Sequence, residues 1–141
     1  ELDGVRLRVL SPDSAWAAAT FDPNEESVVL LVEYGATRLV FTGDAGVPVE
    51  QRLAGGVGDV DLLKIGHHGS AGATSATWLD ELRPEEAVIS VGARNRYGHP
   101  APGVLERLAS RAVHVYRTDR QGTITFASDG QRVRIDRSHH D

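Results

Sequence analysis

Leu63-Lys64-Ile65-Gly66-His67-His68-Gly69-Ser70 is the stretch that decides how this chain is read. Val60–Ile65 reads as a buried strand, and it runs into a Gly-rich loop, Gly66–Ala73. Core packing does not explain two adjacent imidazoles set between glycines at a strand end. Imidazole is the commonest neutral metal ligand and a general acid or base near neutral pH. Glycine lets backbone approach a ligand closely and adopt positive φ. Adjacent side chains point different ways, so the two histidines have different roles. One suits a metal, and the other suits substrate or a supporting contact to the first. Which is which stays open.

Working outward, Val5, Leu7 and Val9 alternate with Arg6 and Arg8 as a half-buried strand that Pro12 ends. Residues 11–26 read as a loop with at most one helical turn near Trp16–Thr20. Ser27–Tyr34 and Arg38–Thr42 form a hairpin about Gly35-Ala36. A short helix covers Val47–Leu53. Ser75 caps another that runs to Leu82. Ala87–Val91 is a strand, Gly92–Ala101 a long loop, and Pro102 opens a helix to about Arg111. Val113–Arg117, Thr123–Ala127 and Arg132–Ile135 are short strands, the last two joined at Asp129-Gly130. The alternation of strand and helix from 38 to 117, with hairpins at both ends, predicts an α/β layered fold with a mixed sheet and flanking helices.

Three loops at predicted strand ends carry chemistry: Thr42-Gly43-Asp44, Gly66–Ser70, and Asn95-Arg96-Tyr97-Gly98-His99-Pro100. Sites in layered α/β proteins are usually built at that edge. Asp44 either caps local backbone or ligates metal, possibly bridging two ions through its two oxygens. His99 either belongs to a loop simply shaped by Tyr97 and Pro100 or joins one of the two adjacent histidines in acid–base work. Arg94 and Arg96 suit phosphate, which a guanidinium holds in a bidentate fork, and Ser70, Asn95 and Tyr97 are further substrate-binding candidates. His114 reads as structural, and His139 and His140 as unimportant tail residues.

Composition narrows the classes. The 141 residues fit one domain. With no cysteine, disulfides are excluded and a metal site must use histidine and carboxylates. No apolar run reaches the roughly 20 residues of a membrane span. Glu1–Val5 lacks the features of a signal peptide. The absence of methionine and the abrupt start inside a strand lead to the expectation of a fragment of a longer protein. The net charge of −5 argues mildly against a free-standing nucleic-acid binder. It is uneven: residues 1–90 hold 6 Lys+Arg against 15 Asp+Glu, while residues 91–141 hold 9 against 5. That polarity is either a solvated surface or a face toward an anionic substrate.

Taken in order, Phe41–Asp44, Leu63–Ser70, Ile89–Gly92 with Asn95–Pro100, Val115–Asp119 and Gly122–Phe126 resemble the metallo-β-lactamase domain of ComEC-type DNA-uptake (competence) proteins. The similarity runs from about residue 5 to 135. It implies the C-terminal half of an αββα sandwich, as a single domain fragment spanning 1–141, with a dinuclear metal site holding zinc or manganese. Asp44 would match the bridging aspartate and His67 the last histidine ligand, with His68 on the substrate side. The family's His-x-His-x-Asp-His motif is absent from these residues, so the fragment alone is expected not to fix a metal firmly and to be inactive unless another chain completes it. The resemblance implies a membrane-embedded parent with this domain soluble and extracytoplasmic. It also implies two-metal hydrolysis of DNA phosphodiesters. The competing readings are a metal-free binding or structural module of a DNA channel, and a soluble superfamily hydrolase of a small ester or phosphodiester. Half a sandwich should leave an apolar sheet face in need of cover, whether by the missing N-terminal half, a homodimer or a swapped oligomer.

Overall fold

A computed structural model describes residues 3–19 and 22–137. Its six-stranded sheet follows chain order: β1 (Val5–Ser11), β2 (Val29–Tyr34), β3 (Thr37–Phe41), β4 (Leu62–Lys64), β5 (Glu86–Ile89) and β6 (His114–Arg117). The first three strands are an antiparallel meander, and β3 to β6 are parallel. Parallel neighbours need crossover connections. These are α2 (Val47–Leu53), α3 (Ala76–Leu82) and α4 (Pro102–Ala109). A short α1 (Ser14–Ala19) lies between β1 and β2, and α5 (Thr118–Gln121) follows β6. The strands β7 (Ile124–Ser128) and β8 (Val133–Arg137) form a separate hairpin. No helix among the described residues is long and apolar enough to cross a membrane.

Side-chain alternation sorts the sheet into two faces. Leu31, Val40, Leu63 and Ala87 form one cross-strand row. They share a core with Val49 of α2, Trp78, Leu79 and Leu82 of α3, and Val104 and Leu108 of α4. Burying each larger side chain of this set contributes about 1.5–3 kcal/mol. The opposite face carries the row Leu7, Val32, Leu39 and Leu62, and the row Val9, Leu30 and Phe41. The hairpin reaches it at Thr37, whose Oγ1 lies 2.7 Å from Ser128 Oγ, and at Tyr116, whose ring meets Phe126 edge-on at 6.1 Å. Leu62 is buried here, but toward β1 this face is open: Leu7 is 60% and Val9 62% exposed. The apolar surface short of cover is thus concentrated at the β1 end of this face.

The mixed sheet and flanking helices match the sequence reading, with local differences. β4 is shorter than Val60–Ile65, although Asp61 N and Ile65 N still donate across the sheet to Arg38 O and Val88 O. The Gly66–Ala73 loop begins with a one-turn element, Gly66–Gly69. The turn α5 was not anticipated. Gly122, at φ 70°, ends it, and its N–H closes on Thr118 O. Thr20, His139 and His140 lie outside the described residues.

Arg117 and Asp119 clamp the junction of β6 and α5 through a bidentate pair at 3.0 and 2.7 Å, with both side chains largely buried. The Arg117 guanidinium holds the Asp119 carboxyl below its ordinary pKa. A depressed folded-state pKa adds stability above the unfolded value, and that stability is lost as pH falls through the folded one. Asp119→Asn is therefore expected to lower the unfolding free energy at pH 7. In denaturant titrations at a series of pH values, its deficit should shrink below about pH 4.

Candidate metal centre

Three strand ends meet, and their loops interlock through backbone. His67 N donates to Gly43 O at 3.1 Å, tying the loop after β4 to the loop after β3. Ala101 N donates to Gly69 O at 2.8 Å, tying it to the loop after β5. Both contacts require glycine. A Cβ on Gly66 would lie 2.8 Å from Ala45 O, and one on Gly69 would lie 2.6 Å from Pro100 Cβ. Gly69 also sits at φ 82°.

Between these glycines the chain does something rarer. His67 (φ 46°, ψ 46°) and His68 (φ 55°, ψ 20°) both occupy the left-handed region. For residues with a Cβ this costs roughly 1–2 kcal/mol each, and such strain persists where surroundings over-determine it. Ser70 N closes the turn on His67 O at 2.9 Å. The turn aims the two imidazoles apart. His68 Nδ1 lies 2.6 Å from Ser90 O, and its Nε2 lies 3.5 Å from Asp44 Oδ1. A carbonyl oxygen only accepts, so Nδ1 is the donor. In the neutral ring Nε2 is then a lone pair facing a carboxylate oxygen. Two acceptors so placed call for a proton or a cation between them.

The other candidates distribute around this pair. The His67 ring lies 6.1 Å from that of His99 and 6.4 Å from that of His68. Tyr97 stacks on His99 at 5.8 Å and 19°. Asn95 is committed to its own loop: Nδ2 donates to Gly92 O and His99 O, and Oδ1 accepts from His99 N. It positions His99 rather than offering a free amide. Ser70 Oγ accepts from Gly72 N at 3.3 Å. Arg94 and Arg96 are exposed on the same loop. His114 is on β6, 3.5 Å from Glu86 Oε1 and away from this group.

Several supporting residues escaped the sequence reading. Ser27 Oγ accepts from Asp44 N at 3.1 Å. Glu50, buried in α2, accepts from Thr74 N and Ser75 N at 2.5 and 2.8 Å, and Arg107 Nε donates to Thr74 O. These bonds fix the far end of the histidine loop. A charged residue on the inward stripe of a short helix was the signal for Glu50. Thr118 Oγ1 accepts from Val91 N and donates to Val91 O, bracing the strand end beyond Ser90. Lys64 Nζ donates to Ile65 O. Burial pushes its pKa down, and the Asp44 carboxylate opposes that shift.

Residues 17–93, more than half of the chain, match the model of the metallo-beta-lactamase superfamily, and the chain belongs to it. Among curated proteins, it is similar to ComE operon protein 3 of Bacillus subtilis, 37% identical over 128 residues that make up 89% of this chain and 16% of that protein. It is 34% identical to competence protein ComA of Neisseria gonorrhoeae over 141 residues, 94% of this chain and 20% of that one. Recombination protein 2 of Haemophilus influenzae is 39% identical over 105 residues, 74% of this chain and 13% of that protein. The chain thus spans a fifth or less of the length of these three relatives.

The superfamily generally binds divalent metals. Imidazole nitrogen and carboxylate oxygen bind zinc at about 2.0–2.2 Å, so two such donors on one tetrahedral ion stand about 3.4 Å apart. The 3.5 Å between His68 Nε2 and Asp44 Oδ1 fits that spacing. Catalytic zinc takes at least three protein ligands, and among the described residues no group of three or more His, Asp or Glu converges on one point. The residues present fit one side of a metal site.

Two stability measurements probe this geometry. His68→Gly is expected to be more stable than His68→Ala by about 1 kcal/mol, since glycine removes the left-handed penalty. Gly69→Ala is expected to be destabilised by more than about 2 kcal/mol, through overpacking against Pro100 and an incompatible φ. Chemical denaturation of the purified variants reads both.

Proposed function

We propose that this chain forms one side of the metal site of a phosphodiester hydrolase acting on DNA, within a competence DNA-uptake protein. The observation that carries this reading is the placement of His68, whose Nδ1 meets Ser90 O at 2.6 Å while its Nε2 faces Asp44 Oδ1 at 3.5 Å. An imidazole anchored through its other nitrogen is the usual arrangement of a metal-binding histidine. Asp44 and His68 are the donors this geometry favours, which moves His67 to the substrate side beside His99. Divalent ions, zinc or manganese, would supply Lewis acidity toward a phosphoryl oxygen and toward water. His67 and His99 stand where they can donate hydrogen bonds to phosphoryl oxygens or a proton to the departing oxygen. Arg94 and Arg96 hold flanking phosphates. DNA as substrate, and a membrane-embedded parent with this domain outside the cytoplasm, rest on the resemblance and on the competence protein among the relatives.

The open sheet face around Leu7 and Val9 supports a packing surface for further parts of the same domain. Light scattering of the 141-residue chain alone is expected to show self-association that Leu7→Lys with Val9→Lys reduces. A second reading, a metal-free binding module, draws on the shortage of converging ligands among the described residues. One assay separates the two. The intact protein, supplied with Mn2+ or Zn2+, is expected to cleave linear DNA. Asp44→Asn and His68→Ala are each expected to lower the rate at least a hundredfold, the order of loss when a group acting on the transition state is removed. Metal-independent binding without cleavage by the wild type would favour the binding module.

A further inference from the structure

The loop after β5 presents more than two cationic side chains. Tyr97 is 83% exposed although one face of its ring rests on His99. The loop beneath is held by the three Asn95 hydrogen bonds and by Pro100 seated against Gly69. The ring thus stands on an ordered loop with its second face in solvent. Arg94 and Arg96 are exposed beside it in sequence, and neither makes a hydrogen bond or ion pair among the described residues. By contrast, Arg107, Arg111, Arg117 and Arg134 are engaged with groups of the fold itself.

An isolated surface tyrosine needs no explanation. Here three features coincide: a preorganised aromatic face, two unpaired guanidiniums, and a ring path through His99 and His67 to the carboxylate–imidazole pair. Aromatic rings combined with cations that follow a phosphate backbone are how proteins hold single strands. Duplex bases are already stacked and leave no free face for such a ring.

We infer that Tyr97 is a stacking platform for an unpaired nucleobase, with Arg94 and Arg96 on adjacent phosphates, so that the site selects single-stranded DNA or frayed ends over duplex. This deepens the phosphodiester reading and rests on it. The choice of base is left open, because every base has a π-face.

The test is binding by the intact protein in EDTA, read by fluorescence anisotropy. The probes are a labelled twelve-residue oligothymidylate, an abasic strand of equal length, and the matching duplex. Tyr97→Ala is expected to weaken oligothymidylate binding roughly tenfold, the size of one lost base stack. Tyr97→Phe should stay within about twofold, and the wild type should prefer oligothymidylate to the abasic strand. Circular dichroism should show both variants folded, since the side chain lies outside the core. Oligothymidylate binding unchanged in Tyr97→Ala would overturn the inference. So would equal losses on oligothymidylate and abasic strand, or no measurable binding by the wild type. Because hydrolysis plays no part in EDTA, this test fails or succeeds separately from the metal-dependent cleavage assay.

Discussion

The closeness with which Gly66 and Gly69 let three strand-end loops meet is the constraint on which the site depends. Ala45 O and Pro100 occupy the space where Cβ atoms would stand. With those contacts made, the two residues between the glycines cannot relax into an ordinary turn, and both histidines take left-handed backbone. That strain, of order 1–2 kcal/mol per residue, is offset by bonds at every side of the loop: His67 N to Gly43 O, Ala101 N to Gly69 O, and the buried Glu50 carboxylate on Thr74 N and Ser75 N. The parallel order of β3, β4 and β5 brings the three loops to one edge of the sheet. Two adjacent histidines consequently face different partners, one toward Asp44 and the other toward His99.

Charge follows the same logic. The C-terminal third is net positive, which on sequence alone fits a face toward an anionic ligand. Much of that charge serves the fold: Arg107 binds Ala73 O and Thr74 O, Arg111 binds Asp80, and Arg117 binds Asp119. Arg94 and Arg96, on the loop beside His99, are exposed and make no such contact among the described residues. The polarity of the chain is therefore partly structural, and the cationic contribution to the site is local.

Much of this was legible in the sequence, because period-two runs and their punctuation mark strands and loops directly. The Gly66–Ser70 loop, Asp44 and His99 could be grouped, since all three follow strands at one predicted edge. What the sequence could not express was backbone handedness. Nothing in His67-His68 announces two consecutive left-handed residues, so which imidazole faces Asp44 stayed open. The resemblance favoured His67, whereas the turn directs His68 there. Asn95 was legible as a candidate substrate contact, but its bonds to Gly92 and His99 across the loop were not. Glu50, Ser27 and Thr118 act across long sequence separations, which no local pattern reveals.

In the proposed site, Asp44 and His68 share a cation while His67 does not. Metal content of the intact protein, measured by inductively coupled plasma mass spectrometry after equilibration with Mn2+ or Zn2+ and gel filtration, addresses it without reference to any substrate. The account predicts that His68→Ala and Asp44→Asn each retain at least one fewer ion per chain than the wild type, and that His67→Ala retains the wild-type complement. Loss of metal in His67→Ala with full retention in His68→Ala would contradict it.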